Sequence, residues 1–125
     1  MEFNNTGRAI YMQVADYICE KILLKEWKPE DKIPSVRELA IQLEVNPNTA
    51  MRAYDILKTQ QLIYDKRGIG YFVTEDAVAN AVNYRKQDFM EKEMPSAFRI
   101  MYILGLEPSD LIAPFEKFKL AYNTN

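Results

Sequence analysis

Two helix starts crowd into one short stretch of this chain, and little else can satisfy both. In Ser35-Val36-Arg37-Glu38 the Ser stands three residues ahead of the Glu. That is the spacing of a capping box, in which hydroxyl and carboxylate each satisfy an orphan backbone donor. Asn46-Pro47 follows soon after. Asn is a strong N-cap, and Pro suits the first helical position, where its missing N–H costs nothing. A short helix, a tight turn and a second helix make a helix-turn-helix.

The flanking periodicity extends this frame. Tyr11, Val14, Ala15, Ile18 and Ile22 recur at three- and four-residue steps, predicting an amphipathic helix from Ala9 to about Lys25. Trp27-Lys28-Pro29-Glu30-Asp31 breaks it, and Lys32-Ile33 suits a short extended segment. The second helix, from about Ser35 to Leu43, should bury Val36, Leu39, Ala40 and Leu43. The third, from Pro47 to about Gln60, should bury Ala50, Ala53, Tyr54 and Leu57, which cluster on one face. Asn48, Arg52, Asp55 and Thr59 then point the other way. Two β-prone runs, Leu62–Asp65 and Tyr71–Thr74, flank Lys66-Arg67-Gly68-Ile69-Gly70 and read as a hairpin with two cations at its tip.

Helical pattern returns from about Asp76 through Ala77, Val78, Ala81, Val82 and Phe89, until Pro95 ends or kinks it. Ser96 to Leu104 is apolar nearly all round, which implies contact on two sides. Gly105 suits a helix C-terminus, and Pro108 opens a last helix through Leu111, Ile112, Phe115 and Phe118. The aromatic set Tyr84, Phe89, Phe98 and Tyr102 reads as core. The expected fold class is mainly α with a small β-hairpin wing. A winged helix-turn-helix over residues 1–75 precedes a short all-helical region over 76–125, whose Phe98, Met101, Tyr102, Leu111 and Phe115 are the candidate dimerisation residues.

Composition narrows the chemistry. The chain has 125 residues, no histidine and one cysteine, Cys19. It therefore lacks the usual general base, a standard zinc site and an intramolecular disulfide. No catalytic residue, metal or cofactor is expected. With no signal peptide and no membrane-spanning run, the expected location is cytoplasmic. The net charge of −2 runs against a nucleic-acid binder, but charge placement matters more than its sum. Between Asn46 and Thr74 four basic residues (Arg52, Lys58, Lys66, Arg67) face two acidic ones (Asp55, Asp65).

In order and spacing, five segments resemble the GntR family of bacterial transcription regulators. They are Ile10-Tyr11-Met12-Gln13, Lys32 to Ala40, Val45-Asn46-Pro47-Asn48-Thr49, Arg52-Ala53-Tyr54 and Arg67 to Val73. Asn-Pro-Asn-Thr, Arg-Ala-Tyr and the brief tail resemble the YtrA-like subgroup. The resemblance implies a homodimer binding a double-stranded, pseudo-palindromic DNA operator, as a repressor. It leaves a small-molecule effector open and unidentified. There are departures. Where the family commonly has glycine, this chain has Glu44 between helices two and three, Gln61 before the wing, and no glycine in the loop after the first helix. Those loops are expected to differ in shape. Met51 stands where longer relatives often carry a DNA-contacting arginine, a task that Arg52 is then expected to share.

The candidate DNA-binding residues are Ser35, Arg37, Asn46, Pro47, Asn48, Thr49, Arg52, Lys66, Arg67, Gly68 and Gly70. For several a second role stays open: an N-cap for Ser35 and Asn46, a solvated surface for Asn48, and a surface ion pair for Arg52. An alternative for the whole chain is a winged-helix module that docks protein without specific DNA binding.

Overall fold

The computed structural model describes residues 7–123. Its elements follow in the order α1 (Ile10–Leu23), α2 (Val36–Leu43), α3 (Pro47–Thr59), β1 (Ile63–Lys66), β2 (Gly70–Val73), α4 (Ala77–Lys92), α5 (Met94–Leu104), a 3₁₀ turn (Pro108–Leu111) and α6 (Ile112–Asn123). Two compact units result, Met1–Lys86 and Gln87–Asn125, and the division falls inside α4.

In the first unit α1 and α2 both pack on α3. The core contains Val14, Ile18 and Ile22 of α1, Leu39 of α2, and Ala53, Tyr54 and Leu57 of α3, all fully buried. The face predicted for α3 is the buried face observed. In α2 only Val36 departs from expectation. It is half-buried and packs against the rim of the core, because it is the first residue of its helix.

β1 and β2 pair antiparallel, Ile63 opposite Val73 and Lys66 opposite Gly70. The expected extended segment at Lys32-Ile33 joins them. Lys32 bridges to Phe72, and the Ile33 N–H donates to the Tyr71 carbonyl over 3.0 Å. The wing is thus stitched to the loop before α2. Asp16 of α1 accepts two hydrogen bonds from Arg8, at 2.7 and 3.0 Å, and a third from Arg85 of α4.

The loops lacking glycine keep left-handed backbone all the same. Glu44 has φ 56°, Gln61 φ 62°, Lys25 φ 62° and Glu30 φ 71°. Glu44 closes α2, its N–H donating to the carbonyls of Ala40 and Ile41. The Gln61 carbonyl accepts from Thr74 Oγ1 at 2.7 Å and from Asn80 Nδ2 at 2.8 Å, which pins that turn from across the wing. At Gln61 these tertiary hydrogen bonds offset a local cost of about 1 kcal/mol for an L side chain in this conformation.

The second unit differs from the sequence expectation. Pro95 does separate two helices, α4 ending at Lys92 and α5 beginning at Met94, but Pro108 begins a 3₁₀ turn, with α6 following from Ile112, where one helix was expected. Neither α5 nor α6 buries a residue. Of the aromatic set expected in the core, only Tyr84 is buried; Phe89, Phe98 and Tyr102 are exposed. Two short helices joined by a turn supply too few layers to enclose side chains that are apolar on every face.

Candidate DNA-binding surface

The helix-turn-helix is built from caps. Ser35 Oγ accepts from the Glu38 N–H at 3.1 Å, and the Glu38 carboxylate accepts from the Ser35 N–H at 2.9 Å. Hydrogen bonding to the carboxylate from Ser35, its backbone N–H first and its side chain second, holds the Glu38 carboxyl below its ordinary range. Asn46 Oδ1 accepts from the Asn48 N–H at 2.8 Å, with Pro47 at the first helical position. The capping roles of Ser35 and Asn46 are therefore real, and each spends one side-chain oxygen on its helix. The Asn46 amide N–H₂ is still a donor.

Tyr54 locks the parts together. It is fully buried, and its hydroxyl donates to the Pro34 carbonyl just ahead of α2. Its ring meets Tyr71 of β2 edge-on, with centroids 4.9 Å apart. One side chain of α3 thereby fixes both the start of α2 and the wing. Burial pushes its phenol well above the ordinary tyrosine range, so it stays neutral and donating.

The outer face of α3 is open. Asn48, Arg52, Asp55 and Thr59 are all exposed, as are Asn46 and Pro47, while Thr49 is half-buried. Among the described residues Arg52 makes no surface ion pair; its guanidinium lies over the Tyr11 ring, 3.8 Å from the centroid. Arg37 is exposed near the start of α2, and among the described residues no carboxylate engages it.

At the wing the two cations part ways. Lys66 folds back, its Nζ 4.4 Å from the Phe72 ring centroid, while Tyr64 stacks on Phe72 at 5.8 Å. Arg67 extends into solvent. The Ile69 N–H donates to the Lys66 carbonyl across the tip, and Gly68 supplies the φ of +80° there. Gly70 is needed for its backbone, at φ +145°, which an L side chain adopts only under strain; the Lys32 side chain lies against it, with Cε 2.9 Å from where a Cβ would stand. Lys32 is thus a cation beside the wing that sequence reasoning passed over, as it passed over Tyr11. The Lys32–Pro34 motif offered a hint; no local pattern placed Lys32 on Gly70.

The description "Bacterial regulatory proteins, gntR family" matches residues 10–73, the span of α1 through the wing. The chain belongs to the GntR family. It is 34% identical to the HTH-type transcriptional regulator YhcF of Bacillus subtilis over 113 residues, 90% of this chain and 92% of that protein. It is 41% identical to the HTH-type transcriptional repressor YtrA of the same organism over 98 residues, 78% of this chain and 75% of that one. A crystal structure of a GntR-family transcriptional regulator from Bacteroides thetaiotaomicron superposes with a TM-score of 0.75 at 42% identity, covering 91% of this chain and 99% of that chain. This GntR protein is a DNA-binding transcription regulator of the YtrA-like subgroup. Among its described residues no cluster of His, Cys, Asp and Glu could hold a metal, and no helix is long and apolar enough to cross a membrane.

Proposed function

We propose that this regulator binds a pseudo-palindromic operator as a homodimer and represses transcription from it in the cytoplasm. Residues 1–75 hold the DNA and residues 76–125 hold the second copy. The observation that carries the reading is the two-sidedness of α3. Ala50, Ala53, Tyr54 and Leu57 are fully buried on one side, and Asn48, Arg52, Asp55 and Thr59 are exposed on the other. In the major groove, Asn48 suits an adenine edge, Arg52 a guanine edge and Asp55 a cytosine amino group. Asn46, Pro47 and Thr49 bring the N-terminus of α3 against the backbone, as Ser35 and Arg37 do for α2, where amides and cation meet phosphate. Arg67 and Lys66 at the wing, with Gly68 and Gly70 shaping its tip, extend the footprint.

Two features support the dimer. One winged helix covers too little DNA for tight, specific binding, whereas two recognition helices about 34 Å apart fit one face of a duplex. The tail also exposes Phe98, Tyr102, Leu111 and Phe115 and leaves Met101 half-buried. So many exposed apolar side chains in one short segment suit an interaction site. Repression rests on the likeness to the repressor YtrA.

The test is fluorescence anisotropy on duplexes from the gene's own promoter over a range of salt. Expected is tight binding that falls steeply as salt rises. Arg37→Ala and Arg52→Ala should each cost about 1–3 kcal/mol of binding with thermal unfolding unchanged. Binding indifferent to salt would favour a protein-docking module. If both variants bind like the parent, the residue assignment falls.

A further inference from the structure

Arg52 is the only arginine of α3, and an aromatic ring of another helix supports it. Its guanidinium sits in van der Waals range of the Tyr11 ring, 3.8 Å from the centroid, and among the described residues no carboxylate pairs with it. Tyr11 lies in the first turn of α1. It is half-buried, one helical turn ahead of the fully buried Val14 and Ala15 on the same face of α1. We infer that Tyr11 is a positioning residue for DNA recognition: its ring is the platform that holds the Arg52 guanidinium ready before the duplex arrives.

The inference rests on the reading of α3 as the recognition helix. A long, exposed arginine must surrender rotamer freedom to make a two-pronged contact, and that loss subtracts from affinity. A ring beneath the guanidinium takes up its delocalised face and leaves the in-plane N–H donors for a base edge or phosphate. Among the described residues no ring lies under Arg37 or Arg67, whereas Lys66 is drawn back over Phe72. Arg52 is thereby the pre-ordered cation of the surface, on a support contributed by a different helix.

The probe is a duplex selected by the wild-type protein from a random-sequence pool, with affinity read by anisotropy and folding by circular dichroism melts. Arg52→Ala, Tyr11→Phe, Tyr11→Leu and the double variant Tyr11→Leu/Arg52→Ala are compared. Tyr11→Phe keeps the ring and should bind within about twofold of wild type. Tyr11→Leu should bind about fivefold more weakly. The double variant should be no weaker than Arg52→Ala, because the two residues act through one contact. Fully additive losses would overturn the inference. So would a Tyr11→Phe defect as large as that of Tyr11→Leu, since the hydroxyl and not the ring would then be at work. An Arg52→Ala protein that binds like wild type would instead bring down the recognition role of Arg52, and the platform with it.

Discussion

The two units dispose of their apolar residues in opposite ways. In Met1–Lys86 the helical periodicity ends in burial: Ile18, Leu39 and Leu57 are at 0% exposure, and what α3 turns outward is polar. In Gln87–Asn125 equally apolar helices stay uncovered, with Phe98 at 48%, Phe115 at 59% and Tyr102 at 89% exposure. An apolar residue at helical spacing reports a demand for burial; it does not report what meets the demand. In the first unit the chain meets it by itself, through three helices and a wing. In the second we assign the task to another copy of the chain.

Charge on the tail should produce the largest effect and could break this contrast outright. Tyr102→Asp combined with Phe115→Asp should turn a dimer into a monomer in sedimentation and weaken operator binding on the order of a hundredfold, while the winged-helix unit keeps its melting transition. A variant that stays dimeric would remove the distinction. Next in size, Leu57→Ala should cost about 2–5 kcal/mol of stability in urea unfolding, as expected for a cavity in a closed core. Phe115→Ala, compared at a concentration where monomers prevail, should cost far less; equal losses would mean that the tail has a core of its own. Smallest, Glu44→Gly and Gln61→Gly should each raise stability by up to about 1 kcal/mol by relieving left-handed strain. Gln61 is the sharper case, because Thr74 and Asn80 hold its carbonyl in place.

Much of the first unit was legible in local pattern. The capping box at Ser35 and Glu38, the Asn46 cap, the buried face of α3 and the glycine turn of the wing all depend on neighbours a few residues away. The tail was legible as helix but not as surface, because whether Phe98 or Tyr102 is covered depends on layers that a periodic pattern does not contain. The loops at Glu44 and Gln61 were expected to change shape without glycine. Both residues take left-handed backbone, and at Gln61 tertiary hydrogen bonds to its carbonyl outweigh the local cost.

By itself, then, the amino-acid order determined where helices begin, which face of each seeks burial, and the family to which the arrangement belongs. Only the tertiary structure decided that Tyr54 ties α3 to Pro34 and Tyr71, that Lys32 lies against Gly70, that Lys66 folds back while Arg67 extends, and that Arg52 rests on Tyr11. Caps and periodicity act over a turn or two of chain, within reach of a sequence pattern. A ring beneath a guanidinium needs two helices brought side by side, and that proximity exists only after the core has formed.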